Sequence, residues 1–209
     1  DITIFENVIR ETGRGMVLAA RGSGAAARSV HASRILVAGN LLYRLGEDSP
    51  FGGRGDPVTI LGALAHVMIV ENTFNGHYNA LGLPTDGNPP QTQSMTYKRN
   101  VAAFGTYGIF GGGIGLASIA GRYAPVSFLS NCFFGVTNRN YAPPASYPSP
   151  NVTTEETVTT VLPRIDAGDP TVGSGSECKA ISLSAGQRLG ARSDLVQMLE
   201  AWVVPGLQP

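Results

Sequence analysis

Charge is scarce in this chain of 209 residues, where Asp, Glu, Lys and Arg make up 14%, well below the share usual for a soluble domain. Its fifteen basic and fifteen acidic residues cancel. With no net field to draw it to nucleic acid or to an anionic membrane, partners held by charge alone are excluded. No apolar run is long enough for a membrane-spanning helix. The three histidines, His31, His66 and His77, lack metal-ligand spacing, so neither a metal nor another cofactor is expected. "GGGIGLAS" (111–118) fails the dinucleotide pattern at Ser118 and reads as a flexible loop. The opening "DITIFENVIRETG" has neither a methionine nor a signal sequence, so the start reads as processed or cut.

What is present in quantity is glycine, 27 residues of it, beside 43% apolar residues. That is material for one domain with a sizeable core and many turns. A repeat organises it. The segments "ITIFENVIRETG" (2–13), "ILVAGNLLYRLG" (35–46), "VMIVENTFNG" (67–76), "MTYKRNVAAFG" (95–105) and "VSFLSNCFFG" (126–135) align on Asn7, Asn40, Asn72, Asn100 and Asn131. By subtraction these are 33, 32, 28 and 31 residues apart. Five residues before each asparagine stand Ile2, Ile35, Val67, Met95 and Val126; three before stand Ile4, Val37, Ile69, Tyr97 and Phe128; two after stand Ile9, Leu42, Phe74, Ala102 and Phe133. All are apolar.

Offsets of five and three place side chains on one face of a strand, and the asparagine marks a turn before the next strand. A unit this small cannot bury its own apolar face, so it must stack on its neighbours, each coil adding a rung. Stacked asparagines can then accept from one coil and donate to the next, satisfying polar groups in a buried column.

An asparagine ladder with lines of the form xVxIxxNxFxxxG resembles the right-handed parallel β-helix superfamily to which the pectate lyases belong. "GTYGIFGGGIG" (105–115) resembles a glycine-rich stretch in secreted bacterial members of that group. The resemblance implies an all-β, right-handed parallel β-helix of about five coils over residues 1–135. It implies no single chemistry, because lyases, hydrolases, epimerases, adhesins and inert scaffolds share the fold.

Residues 136–209 differ in kind. The Pro-, Ser- and Thr-rich stretch 136–176 reads as a linker or surface wrap, in which "ETVTTVLP" (156–163) could add an edge strand. A short helix is expected at 194–203, capped by Ser193, with Leu195, Met198, Leu199 and Trp202 on one face and Pro205 as its stop. It would form a lid on an open end of the stack, or bind a partner. Cys132 and Cys178 are expected to form a disulfide, and hence to mark an oxidising compartment; two reduced, buried thiols are the alternative.

Candidates for catalysis are few. Glu6 and Glu71 both precede a ladder asparagine two coils apart, roughly 9 to 10 Å if the stacking is regular, near the separation used by inverting glycoside hydrolases. Arg99 holds the same position one coil beyond Glu71, where an ion pair needs no substrate. Lys98, Arg99 and Arg44 could act as basic groups of a polysaccharide lyase. The acidic calcium cluster and paired-arginine motif of pectate lyases are missing. "RGD" (54–56) could be read by an adhesion receptor, but in a glycine-rich loop it is read as coincidence, and "NVT" (151–153) is a glycan acceptor only in a pathway that makes one.

The sequence therefore points to a secreted or cell-envelope scaffold or binding module that presents a rigid repeat surface to glycans or to an extracellular assembly. The alternative is a polysaccharide lyase or glycoside hydrolase, or the C-terminal part of one. Because Ile2 and Ile4 occupy inward positions at the edge of the stack, residues 1–20 are expected to be covered by earlier coils or by another subunit, and the 209-residue chain alone to associate.

Overall fold

The computed structural model of the chain describes residues 1–19, 32–50, 52–62, 64–83, 92–161, 176–183 and 189–191. The first coil supplies β1 (Ile2–Phe5), β2 (Val8–Thr12) and β3 (Met16–Ala19); the second, β4 (Ala32–Ala38), β5 (Leu41–Leu45) and β6 (Val58–Leu61). The third supplies β7 (Leu64–Val70), β8 (Thr73–Phe74) and β9 (Leu81–Gly82); the fourth, β10 (Thr92–Lys98), β11 (Val101–Ala103) and β12 (Ile109–Phe110). β13 (Tyr123–Leu129) and β14 (Cys132–Phe134) begin a fifth, and β15 (Val152–Thr153) adds one more rung to the second sheet. Strands pair in parallel with their equivalents one coil away, giving sheets ordered β1-β4-β7-β10-β13, β2-β5-β8-β11-β14-β15 and β3-β6-β9-β12. The architecture is the expected all-β parallel β-helix. Its coil count is corrected downward, since the third sheet has four strands and fewer than five coils are complete.

The register follows the asparagine lines without a slip. Ile35 lies between Ile2 and Val67, Tyr97 between Ile69 and Phe128, and Ala102 between Phe74 and Phe133. A one-residue slip would turn every inward side chain to solvent, so this pattern fixes the pairing. Of the fifteen aligned positions, all but Ile2 belong to the interior cluster or pack against it.

The ladder is made as expected and runs one rung further. Asn7, Asn40, Asn72, Asn100 and Asn131 each donate Nδ2 to the Oδ1 of the next asparagine at 2.8 to 3.1 Å, and that same oxygen accepts the donor residue's backbone N–H. The sixth member is Asn151, whose own Nδ2 donates to the carbonyls of Phe128 and Pro148. The amide of the "NVT" tripeptide is thereby built into the column. At each corner the residue before the ladder asparagine is left-handed: Glu6, Gly39, Glu71, Arg99 and Ser130 have φ between 51 and 65°. One such residue turns the chain between sheets, and only Gly39 does so without steric cost.

The tail lies against the outer face of the second sheet. That face is apolar, with Leu41, Val101, Cys132 and Phe134 buried beneath Val161, Cys178, Ile181 and Ala191. Polar contacts hold the cover in place: Glu156 accepts from Ser176 Oγ (2.7 Å) and Glu177 N–H (2.9 Å), Gly190 N–H donates to the Arg99 carbonyl, and Ala191 N–H donates to Thr73 Oγ1. Cys132 and Cys178 are joined by a disulfide with their Cα atoms 5.5 Å apart.

Two expectations are corrected. The described part of "ETVTTVLP", residues 156–161, supplies no strand, because 158–161 forms a short helix whose Val161 packs on the apolar face; the added strand comes from Val152–Thr153 instead. "GGGIGLAS" is not a loop throughout, since α1 (Leu116–Ala120) buries Ser118 and Ile119. The helix expected at 194–203 lies outside the described residues.

Tyrosines fill the fifth-coil end of the interior. Tyr97 stacks on Phe133 with ring centroids 6.2 Å apart, and Tyr147 meets Phe133 edge-on at 5.0 Å. Burial raises the phenols of Tyr97 and Tyr147 well above their ordinary 10.0 and pushes Tyr123 up to about 12. Above pH 10 the unfolded chain ionises these phenols while the fold keeps them neutral. Stability that is intact below pH 10 is therefore lost as the pH rises toward 12 and beyond. Urea midpoints should hold steady up to pH 9 and then fall steeply; a midpoint unchanged at pH 11 would contradict the burial of these hydroxyls.

Candidate functional site

Beyond the strands of the second sheet the chain turns at a glycine in the third, fourth and fifth coils, Gly76, Gly105 and Gly135, leading to the third sheet in the third and fourth. At Gly105, where φ is +65°, a Cβ would stand 2.6 Å from the Tyr78 carbonyl oxygen, so the coils approach closely here only because the side chain is missing. Over these three turns runs an open groove of about 490 Å³. Asn75 and His77 line it from the third coil, Thr106 from the fourth, and Thr137 and Asn138 from the fifth, with Ala103, Phe134 and Val158 as apolar floor.

Next in the chain after His77 and Thr106 come Tyr78 and Tyr107, the start of an aromatic row. The Tyr107 ring lies 5.4 Å from Tyr78 and 4.8 Å from Tyr141, edge to face in both cases, and 5.0 Å from Phe110. A hydrogen bond to Tyr78, reinforced by that phenol's charge, holds the Tyr107 hydroxyl above the ordinary phenol range. The Arg54 guanidinium sits 4.1 Å over the Tyr78 ring, within cation–π range. Arg54 is itself anchored by Asp56, at 3.5 Å. The Asp56 carboxylate is buried, takes Asn79 Nδ2 at 2.8 Å and faces Arg14 at 3.7 Å. Since Asp56 is only 2% exposed, the "RGD" tripeptide offers no carboxylate to a receptor.

The residues singled out from sequence for catalysis lie elsewhere. Arg99 donates from both Nε (3.0 Å) and a terminal nitrogen (2.8 Å) to one oxygen of Glu71, with both side chains about one-fifth exposed. This is the ion pair expected without substrate. Glu6 holds the same corner position two coils from Glu71, with Gly39 between them. Lys98 is half-buried on β10, in register with Val70 and Leu129, while Arg44 pairs with Glu11 at 3.5 Å. The coil-by-coil stacking thus brings the corner residues Glu71 and Arg99 together, one rung apart, and leaves Lys98 at the end of β10 and Arg44 on β5. His66 meets Ser94 Oγ at 3.0 Å on the outside of the first sheet, and His31 lies outside the described residues.

Sequence reading missed the groove and the aromatic row, although a signal was there. "GHY" (76–78) and "GTY" (105–107) repeat a Gly-x-Tyr step that begins at the glycine closing two of the ladder lines. Compared with known proteins, the chain matches no family model, no curated protein and no solved structure.

Proposed function

We propose that this chain is a secreted or cell-envelope scaffold that binds a glycan strand in the groove across its third to fifth coils. The observation that carries the reading is a groove of about 490 Å³ whose lining residues His77 and Thr106 are each followed directly in the chain by a member of the Tyr78–Tyr107–Tyr141 row. Aromatic rings offer apolar faces to the C–H surface of a sugar, while amides and hydroxyls beside them can both donate to and accept from sugar hydroxyls. A stack of hydrogen-bonded coils holds these groups in place before any ligand arrives, which limits the ordering cost of binding. The disulfide supports an oxidising location, and the ladder-bearing corners support placing the chain beside the pectate-lyase-like β-helices. Edge strand β1, with Ile2 44% and Phe5 52% exposed, is where a further unit of an extracellular assembly would seat.

A polysaccharide microarray tests the reading. The chain should bind at least one glycan, and Tyr107→Ala should weaken that binding at least tenfold with an unchanged circular dichroism spectrum. Retention of full affinity by the variant, or silence across the array, would remove the groove from consideration.

A further inference from the structure

Resting on the glycan reading above, we infer that the groove is built for a neutral polysaccharide lying along the solenoid axis and not for an acidic one. Among the described side chains lining it, only His77 bears an acidic or basic group, and its Nε2 is 3.1 Å from a carboxylate oxygen of Glu47. The nearby cations are committed in the same way. Arg54 lies between Asp56 (3.5 Å) and the face of Tyr78 (4.1 Å), and Arg139, beside Asn138, donates from Nε to Glu155 at 2.9 Å. A uronate or sulfate entering here would lose hydration while Arg54 and Arg139, the cations described beside the groove, stay committed, and the exposed carboxylates of Glu47 and Glu155 would repel it.

What the groove does offer is amphoteric. The Asn75 amide and the Thr106 and Thr137 hydroxyls each donate and accept, the same capability that sugar hydroxyls present in return. These groups come from successive coils, whose rungs are roughly 4.8 Å apart, although from different places in the turn: Asn75 precedes Gly76, Thr106 follows Gly105 and Thr137 lies two residues beyond Gly135. A polar lining drawn from three successive coils fits an extended polymer running parallel to the stack better than a compact small molecule.

Affinity gel electrophoresis of the whole chain separates the alternatives. Gels are cast with a neutral polymer (glucomannan or hydroxyethylcellulose) or an anionic one (polygalacturonate or alginate), each at low and high salt. The neutral gels should retard the chain equally at both salt levels, because no net charge is screened. Tyr107→Ala should weaken that retardation at least tenfold. Thr106→Lys, a change at an exposed side chain, should create salt-sensitive retardation by the anionic polymers. Retardation of the native chain by anionic polymers alone, lost in Tyr107→Ala, would overturn the neutral class and leave the groove standing. Retardation by neutral polymers that survives Tyr107→Ala would move the site away from the groove, and no retardation by any polymer would overturn the glycan reading with it. Thr106→Lys without new anionic binding would also count against the charge argument, and it remains informative if Tyr107→Ala fails to fold.

Discussion

Asn72→Leu is expected to destabilise the fold by on the order of 3 kcal/mol, whereas Asn7→Leu should cost about 1 kcal/mol or less. The side chains are the same and the difference lies in what surrounds them. Asn72 is fully buried: its Oδ1 accepts from the backbone and side-chain nitrogens of Asn40, and its Nδ2 faces the carbonyls of Val37 and Val70 and the Oδ1 of Asn100. Leucine is similar in size but answers none of these groups, and water cannot reach them. Asn7 is exposed, so solvent replaces what its amide gives up. Urea melts of both variants measure the gap. Equal midpoints would mean that the column contributes nothing beyond backbone pairing between coils.

Removing the covalent link, as Cys132→Ala with Cys178→Ala, is expected to cost about 4 kcal/mol on the chain-entropy account of a 46-residue closure. A second effect comes from what the link holds in place. The segment around Cys178 covers Leu41, Val101 and Phe134, so loosening it uncovers a contiguous apolar sheet face. The double variant should bind a hydrophobic dye and lose residues beyond Thr157 to protease before the coils are cut. An unaltered melting point together with unaltered protease resistance would show that apolar contact alone retains the tail. Two alkylatable thiols in the native protein would remove the link itself.

The coils were legible because their determinants are local and periodic. Ile35, Val67 and Met95 announce an inward face by spacing alone, and an amide between two apolar runs needs a partner in the next repeat. Asn151 obeys the same physics but escaped notice, since Pro148 and Pro150 replace the apolar run that marks the other lines. The left-handed corners escaped for a different reason: only Gly39 betrays the conformation, while Glu6, Glu71 and Arg99 adopt it under the pull of hydrogen bonds between coils. The cover on the second sheet rests on contacts between residues far apart in sequence, such as Ala191 with Thr73, which no local pattern encodes. The tyrosine row lay in between, since its Gly-x-Tyr step is periodic but the packing of Tyr107 on Tyr78 and Tyr141 depends on how three turns stack.

The asparagine column also has a direction. Every amide-to-amide bond along it runs the same way, from Nδ2 of one asparagine to Oδ1 of the next on the Asn151 side, so these bond dipoles add head to tail. Its two termini are chemically unlike. At one, the last N–H groups end on the Phe128 and Pro148 carbonyls and the series is closed; at the other, the Asn7 oxygen accepts from none of the described residues. Two copies meeting face to face at that terminus would set carbonyl against carbonyl, so a symmetric end-on pair is electrostatically mismatched. Anything that prolongs the series there must arrive in the same sense and lead with a donor, which makes the stack a vectorial template, extensible from one side only.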